Sequence, residues 1–492
     1  MKILLVYPEF PDTFWSFKHA LKFIRKKSSA PPLGLLTVAA MLPAEWEKRL
    51  IDVSVEALRQ GDLAWADYVF ISAMTVQRDS AEKIIARCRE LGVKVVAGGP
   101  LFTCEPDRYA YVDHLVLNEA ELTLPPFLAD LKRGRAKRVY TSTAFPDIRQ
   151  TPAPLWTLAK LDHYVSMNIQ FSRGCPFNCD FCNVTALFGH RPRTKTAVQI
   201  LAELDGLYAL GWRRGIFFVD DNFIGNKKVL KEEILPALIQ WRKGKVGVPF
   251  NTEVSINLAD DEELMRMMVE AGFNAVFVGI ETPDEQGLTE CNKYQNKGRD
   301  LVECVKRIQR AGLEVQGGFI VGFDSDTPSI FQRQIDFIQK SGIVTAMVGL
   351  LQAPYGTRLY KRLKGEGRVR DELSGDNVDG TTNIIPKMNL ETLREGYKRI
   401  LEQIYSPELY YERIKTLLRE YHPPKIKFHL EFDHVLALFR SIGQLGIVGR
   451  ERVQYWRLFF WTLFHRPRLF PVAITLAIYG FHFRRVCESH IA

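Results

Sequence analysis

Three cysteines fall within eight residues of this chain, in the stretch "FSRGCPFNCDFCNV". Cys175, Cys179 and Cys182 have the spacing CxxxCxxC, whereas the other five cysteines are scattered over the 492 residues. Three thiolates do not complete a tetrahedral zinc site, and the sequence has no further CxxC pair to complete one. They can hold three irons of a four-iron cluster and leave the fourth iron open to a small molecule. The spacing therefore predicts a 4Fe-4S centre; simple packing of the cysteines and another kind of metal use are the alternatives.

The elements around these cysteines are predicted to form a partial barrel. From residue 166, six apolar strands alternate with segments able to form helices, and the cysteines follow the first strand. The strand sequences are "SMNIQFS", "GIFFVDD", "PFNTEVSI", "AVFVGIE", "VQGGFIVG" and "TAMVGLLQ". Six β/α units are too few for a complete eight-stranded barrel but enough for a partial one, with its chemistry at the carboxyl ends of the strands. The fold class expected for residues 156–385 is therefore a partial (β/α)6 barrel.

Two further domains are predicted, one on each side of this barrel. Residues 1–155 alternate strands such as "KILLVYP" and "VKVVAGGP" with helical patterns, which is typical of a parallel Rossmann-like α/β domain. The proline-marked stretch "AFPDIRQTPAPLW" ends it. Residues 386–492 are predicted to be helical, and their longest charge-free run, Leu469 to Phe483, is shorter than the roughly 20 apolar residues of a spanning helix.

The net charge of +9 is concentrated in the tail. From Tyr421 to Ala492 there are ten Lys or Arg against four Asp or Glu, interleaved with many aromatic residues. Such a segment fits a helical cap with snorkelling arginines, or a cap that also contacts an anionic membrane surface; nucleic acid is not the expected partner. The scattered cysteines and the absence of a signal-peptide pattern favour a cytoplasmic location, with peripheral contact at the inner face of the membrane as a further possibility.

The cysteine motif, the aromatic Phe181 and the β/α series together resemble the radical S-adenosylmethionine (SAM) superfamily. The resemblance implies that the open iron chelates SAM, and that an electron from a flavodoxin- or ferredoxin-type donor cleaves it to a 5′-deoxyadenosyl radical. The usual Gly-Gly-Glu for the SAM amino group is replaced here by "FVDDN". Glu253, Ser255 and Asn257 alternate along a predicted strand, so that one face presents all three. The SAM-binding residues implied are Phe181, Asp220, Asp221, Asn222, Glu253, Ser255, Asn257, Glu281 and Gly318.

The first domain contains "PPLGLL", "VVAGGP" and "VDHLVLNEAE", which resemble the cobalamin-binding domain that precedes many radical SAM cores. The motif that supplies an axial histidine to cobalt is missing, and His114 is expected to lie at the surface. The resemblance thus implies cobalamin bound without a protein histidine on cobalt; a flavodoxin-like unit that binds a nucleotide or nothing is the alternative. The cobalamin-binding residues implied are Ser72, Thr75, Gly98, Gly99, Pro100 and Glu119.

Over its whole length the chain resembles the cobalamin-dependent radical SAM group whose best-known members methylate hopanoid lipids at C-2. This resemblance implies an enzyme that transfers a methyl group from SAM, by way of methylcobalamin, to an unactivated carbon of an apolar substrate. No individual catalytic residue is predicted. The alternatives are a cobalamin-dependent radical SAM cyclase or rearrangement enzyme without methyl transfer, and a corrinoid or redox sensor.

Overall fold

The computed structural model describes residues 1–370, 373–424 and 432–491. Its first domain is built on a six-stranded, fully parallel sheet with the strand order β2-β1-β3-β4-β5-β6. In the interior strand β1, Ile3, Leu4, Leu5 and Val6 are all fully buried, because helices cover both faces of the sheet. The strands are β1 (Lys2–Tyr7), β2 (Glu47–Asp52), β3 (Tyr68–Ser72), β4 (Lys94–Gly98), β5 (His114–Val116) and β6 (Val139–Tyr140).

The helices of this domain connect consecutive strands, as parallel crossovers require. Proline precedes or opens two of them, since its missing N–H costs nothing in the first helical turn. They are α1 (Lys18–Leu21), α2 (Leu33–Met41), α3 (Gln60–Trp65), α4 (Arg78–Glu90), α5 (Pro100–Cys104) and α6 (Ala120–Lys132).

The second sheet also has six parallel strands and follows chain order from one edge to the other, β7-β10-β11-β12-β13-β14. A short antiparallel pair, β8 with β9, lies between β7 and the first crossover helix. The outer face of the sheet buries Phe218 and Phe250 against Trp241 of its helix layer. The strands are β7 (Ser166–Ile169), β8 (Ser172–Arg173), β9 (Arg193–Thr194), β10 (Gly215–Phe218), β11 (Phe250–Val254), β12 (Phe273–Glu281), β13 (Glu314–Val321) and β14 (Ala346–Leu350).

This sheet confirms the predicted partial barrel, and its inner, concave face is called the lumen below. Helices with strong apolar stripes, such as "LVECVKRIQRA", cover the outside. They are α7 (Val184–Phe188), α8 (Ala197–Ala209), α9 (Lys227–Val229), α10 (Leu235–Arg242), α11 (Glu262–Ala271), α12 (Glu285–Glu290), α13 (Leu301–Ala311), α14 (Ser329–Ser341) and α15 (Arg358–Gly365).

The tail is helical, as the sequence predicts, and packs against the barrel helices and the first domain. Its core includes the fully buried Tyr410 and Phe483. Among the helices that the structure describes, none has both the length and the apolar composition that crossing a bilayer requires. The helices are α16 (Leu390–Ile404), α17 (Pro407–Glu420), α18 (Phe432–Ser441), α19 (Arg452–His465) and α20 (Phe470–Ile491).

The segment between β1 and α1 joins the two ends of the chain. Phe14 stacks on Phe483 of α20 with ring centroids 4.2 Å apart. The next residue, Trp15, turns toward the lumen, where its indole N–H lies 3.0 Å from the sulfur of Met347 and its ring meets Phe277 edge-on at 5.2 Å. Phe14 and Trp15 therefore lie between α20 and the barrel strands.

Candidate active site

The three clustered cysteines lie in the loop between β8 and α7, at the carboxyl end of the first barrel strand. Gly174 begins this loop with a φ of 96°, and a Cβ there would come within 2.9 to 3.0 Å of the carbonyl oxygens of Phe188, Gly189 and Arg191. The N–H of Cys175 donates to one of these, the carbonyl of Gly189, at 3.2 Å. Only glycine fits before the first cysteine, because the returning chain packs directly against it.

The thiols of this loop are partly buried and close enough to interact with one another. Burial raises the pKa of all three cysteines, and that of Cys182 to about 12. The amide of Gln295 lies 3.9 Å from the sulfur of Cys179, and the ammonium of Lys293 favours the thiolate forms. Three partly buried soft donors on one loop fit an iron-sulfur cluster, whose irons would replace the thiol protons.

A buried ion pair lies beside the thiols. Lys293 and Glu281 are 2.6 Å apart, and each side chain is about one-tenth exposed. Burial alone would lower the pKa of Lys293, but the Glu281 carboxylate raises it above its usual value. Glu281 ends β12 with a φ of 63°, where the register with β13 shifts. Glu281, a predicted SAM residue, thus also keeps Lys293 positively charged next to the cysteines.

Asp220 has structural partners at the end of β10. Its carboxylate accepts hydrogen bonds from the N–H of Phe171 at 3.1 Å, from the Ser172 hydroxyl at 2.6 Å and from the Ser172 N–H. Burial raises the pKa of Asp220 to about 7. These contacts hold the turn that leads from β7 into the cysteine loop, so the structure supports a positioning role for Asp220 rather than direct contact with a ligand.

The interpretation of Glu253, Ser255 and Asn257 as one alternating strand face is wrong, because β11 ends at Val254. Ser255 begins a 3-10 turn that contains Asn257. The Ser255 hydroxyl lies 2.6 Å from Asn257 Oδ1, and the Ser255 N–H donates to Asn222 Oδ1 at 3.3 Å. Three of the predicted residues are therefore brought together, by a polar turn at the ends of β10 and β11.

Glu253 differs from these residues because its carboxylate forms no hydrogen bond or ion pair within the described part of the chain. It is in register with Phe277, so both point into the lumen. Burial, together with Asp221 and Asp220, raises the pKa of Glu253 to about 8. Burial also raises the pKa of Asp221, to about 6. The unpartnered Glu253 carboxylate, with Asp221 close by, suits the positively charged sulfonium of SAM.

We expect SAM affinity to depend on the ionisation of Glu253. The pKa of about 8 in the free site means that Glu253 is largely protonated at pH 7, and a cationic ligand binds the ionised form. Affinity should therefore fall about tenfold between pH 9 and pH 7. Equilibrium dialysis of SAM across this range measures it, on wild type and Glu253→Gln.

At each pH the SAM affinity of wild type is divided by that of Glu253→Gln. This ratio removes the effect of the titration of SAM itself, because that titration is common to both proteins. The exposed Glu262→Gln at the start of α11 is the control and should follow wild type. An unchanged pH profile in Glu253→Gln would exclude Glu253 from the SAM site.

The remaining two predicted SAM residues border the lumen in different ways. Phe181 is half-buried and packs against the apolar cluster that includes Phe323 and Leu359. Gly318 lies on β13, where a Cβ would come 2.8 Å from the Phe277 ring. Gly318 therefore keeps the inner face of the sheet flat beside Phe277, which leaves room for a planar group.

The predicted cobalamin residues lie in neighbouring loops at the carboxyl ends of β3, β4 and β5. Gly99 has a φ of 87°, and a Cβ there would lie 2.5 Å from the hydroxyl oxygen of Ser72. Thr75, in the loop after β3, contacts Gly375 of the segment that follows the barrel. Pro100 begins α5. This edge faces the barrel domain, as a cofactor shared by two domains requires.

Glu119 has protein partners that the sequence does not reveal. Its carboxylate lies 2.6 Å from Arg173 and 2.8 Å from Arg193, and only 4% of its side chain is exposed. Glu121 also pairs with Arg173, at 2.9 Å. Since Arg173 directly precedes Gly174, the first domain holds the cysteine loop through this group, called the interdomain ion network below. The structure supports this role for Glu119 rather than contact with cobalamin.

The expectation that His114 lies at the surface is wrong. His114 is 9% exposed, and its Nδ1 lies 2.8 Å from the carbonyl oxygen of Lys137. It begins β5 and so lies at the amino end of the strand, opposite to the predicted cobalamin edge. The other histidine before residue 150, His19, lies in α1 next to Asp12.

Sequence reasoning missed Lys293, Arg173 and Arg193. Arg173 stands in "SRGC" directly before the loop, a position that could have marked it as a loop anchor. Lys293 lies more than one hundred residues after the cysteines, and the sequence gives no local signal for it.

Family models match three parts of the chain. The radical SAM superfamily matches residues 169–338, and the B12 binding domain matches residues 24–128. A domain of unknown function, DUF4070, matches residues 357–492. The predicted cofactors, a 4Fe-4S cluster, SAM and cobalamin, are confirmed by these domains.

Two relatives resemble the chain over nearly their full length. An uncharacterized methyltransferase of Synechocystis is 41% identical, covering 99% of this chain and 92% of the relative. The hopanoid C-2 methylase of Rhodopseudomonas palustris is 34% identical, covering 93% of this chain and 88% of the relative.

Solved structures of low sequence identity share the fold. The cobalamin-dependent SAM radical enzyme OxsB gives a TM-score of 0.64 at 14% identity, with 100% of this chain and 84% of that chain covered. The radical SAM methyltransferase TsrM from Kitasatospora setae gives 0.60 at 15% identity, with 99% of both chains covered. With relatives of this identity over nearly their whole length, the chain belongs to the family of cobalamin-dependent radical SAM methylases.

Proposed function

We propose that the substrate of this methylase is a hopanoid, and that the methyl group is added at ring carbon C-2. The observation that carries the proposal is the 34% identity to a hopanoid C-2 methylase, which extends over the barrel and the tail alike. A substrate of this kind is a rigid, polycyclic hydrocarbon without an acidic C–H bond. Radical chemistry is the means to functionalise such a carbon.

The cofactors supply, when bound, a radical that removes hydrogen from carbon and a methyl group that replaces it. The protein residues hold and orient them. Cys175, Cys179 and Cys182 would ligate the cluster, and Glu253 with Asp221 would compensate the charge of SAM. The loops that follow β3, β4 and β5 would hold cobalamin at the edge facing the lumen. A flavodoxin- or ferredoxin-type protein would donate the electron.

The lumen offers apolar walls for a hydrocarbon. Phe277 on β12 and Met347 on β14 are half-buried on the inner face of the sheet. Trp15 of the first domain packs against both. An apolar wall favours a polycyclic hydrocarbon by the hydrophobic effect and excludes water from reactive intermediates.

The test is an anaerobic reaction of the reconstituted chain with SAM, a chemical reductant and a hopanoid deuterated at C-2. We expect S-adenosylhomocysteine, deuterated 5′-deoxyadenosine and a hopanoid in which one deuterium is replaced by a methyl group, each measured by mass spectrometry. A methylated product with undeuterated 5′-deoxyadenosine would exclude C-2 as the reacting carbon. Formation of 5′-deoxyadenosine without methyl transfer to any hopanoid would contradict the proposed substrate.

We further propose that the tail contacts a membrane that contains this lipid. Six exposed apolar side chains lie on α19 and the helical turn before it, and we call them the apolar patch. Phe464 is 75% exposed and stacks on Phe460, and Arg457 is exposed on the same helix face. Basic residues beside exposed aromatic rings favour anionic lipid headgroups. The apolar patch comprises Ile447, Val448, Val453, Phe460, Leu463 and Phe464.

Replacing both Phe460 and Phe464 with serine is expected to weaken binding to phosphatidylcholine–phosphatidylglycerol vesicles by at least about tenfold, because two aromatic rings no longer enter the interface. Vesicle co-sedimentation measures the bound fraction. Tyr294→Ser, at a residue that is 60% exposed in the barrel domain, is the control and should bind as wild type. Equal binding of the double variant would rule out the apolar patch as the contact.

A further inference from the structure

Three metal-ligating side chains meet outside the site described above. Asp12, His19 and His482 come from the two ends of the chain, yet their ligand atoms lie within 4.8 Å of one another. Asp12 precedes the turn at Phe14, His19 lies in α1 and His482 lies in α20. Nothing in the methylase reaction uses these residues.

His482 carries the strongest indication of a ligand. Its side chain is completely buried, and its Nε2 lies 3.0 Å from the carbonyl oxygen of Phe14. A hydrogen bond to a carbonyl places the proton on Nε2 and leaves a lone pair on Nδ1. That Nδ1 is buried and has no hydrogen-bond partner among the described residues. A metal-binding histidine has this arrangement, with its second nitrogen held by a backbone carbonyl.

Asp12 and His19 supply the other two donors. His19 Nε2 lies 2.7 Å from Asp12 Oδ2, and the rings of His19 and His482 have centroids 5.6 Å apart. The hydroxyl oxygen of Ser16 lies 3.3 Å from Asp12 Oδ1 and 2.8 Å from the carbonyl oxygen of Thr13. The side chains of His19 and Asp12 are 21% and 32% exposed, so an ion can reach them from solvent.

We propose that Asp12, His19 and His482 bind one Zn²⁺ ion, with water in the fourth position. Two imidazole nitrogens and one carboxylate oxygen form a donor set typical of zinc. The ion would fasten the segment that carries Trp15 to α20, and so fix the Trp15 wall of the lumen. The proposal stands independently of the substrate, because zinc binding is measured without turnover.

The test uses the full-length protein with its iron-sulfur cluster in place, so that the cysteines are occupied. Zinc affinity is measured by competition with a chromophoric chelator, and zinc content by elemental analysis after desalting. We expect one zinc per chain in wild type and an affinity at least about 100-fold lower in His482→Gln and His19→Gln. His465→Gln, at an exposed histidine on α19, should bind as wild type.

A second readout separates this site from the cysteine loop and from misfolding. Cobalt in place of zinc should give weak visible d–d bands without the intense thiolate-to-cobalt band of a cysteine site. His19 is partly exposed, so its substitution leaves the core intact even if the His482 variant does not fold. Wild type without a tightly bound zinc, zinc retained by His19→Gln, or a thiolate band with cobalt would each overturn the proposal.

Discussion

Replacing Cys182 with alanine is expected to remove the iron-sulfur cluster and to reduce SAM cleavage to the level of the cluster-free protein. Cys182 is the cysteine of the loop whose pKa rises furthest, to about 12, so its thiolate is formed only when a metal replaces the proton. Without this ligand an iron of the cluster lacks a protein donor. Iron content, cluster absorbance and anaerobic formation of 5′-deoxyadenosine measure the effect.

Cys304→Ala is the matched control. Cys304 is also largely buried, at 7% exposure, but it lies on α13 of the outer helix layer. It should keep both iron content and SAM cleavage. Full cluster loading and turnover in Cys182→Ala would contradict the assignment of the three cysteines.

Glu119→Gln is expected to destabilise the chain and to lower its iron content. The substitution removes the carboxylate charge from the interdomain ion network and leaves Arg193 with uncharged acceptors, among them the backbone carbonyls of Pro146 and Phe188. Breaking a buried pair by removing one partner costs about 3 kcal/mol or more, and Arg173 retains Glu121, so the lower value applies. Urea unfolding gives the stability, and iron analysis after reconstitution gives the loading of the cysteine loop.

Glu47→Gln is the control that distinguishes the loss of the interdomain ion network from the loss of any one carboxylate charge. Glu47 pairs with Arg49 on β2, and the two side chains are 56% and 51% exposed. Surface pairs of this kind contribute little. The control should have the same free energy of unfolding in urea as wild type. If Glu119→Gln also has the stability of wild type, Glu119 does not hold the two domains together.

The strands of both sheets could be predicted because their signals are local. Runs such as "ILLV" and "GIFF" are apolar on both faces, as buried parallel strands require, and turn residues or charged helical segments bound them. The cysteine loop is equally local, since its ligands lie within eight residues. The prediction of SAM and cobalamin came from the family resemblance, because the strand pattern alone does not indicate which cofactors bind.

The contacts of the site could not be predicted in the same way. Asp220 and Glu119 were expected to face ligands, but their partners Ser172 and Arg193 lie 48 and 74 residues away. A period of two placed Ser255 and Asn257 on a strand, whereas the backbone turns after Val254. Polar residues at strand ends show where a site is, and only the three-dimensional arrangement shows which of them are already paired.

The stacking of Phe14 on Phe483 has a consequence for the synthesis of the chain. A ribosome that adds 5–20 residues per second needs roughly 20 to 90 s to travel from one ring to the other. During that time the first domain can form its sheet, but in the aromatic segment that begins at Phe14 the ring of Phe14 itself still lacks Phe483. We therefore expect nascent chains to expose this segment to chaperones until α20 has been made, and the barrel to close last on the side of Trp15.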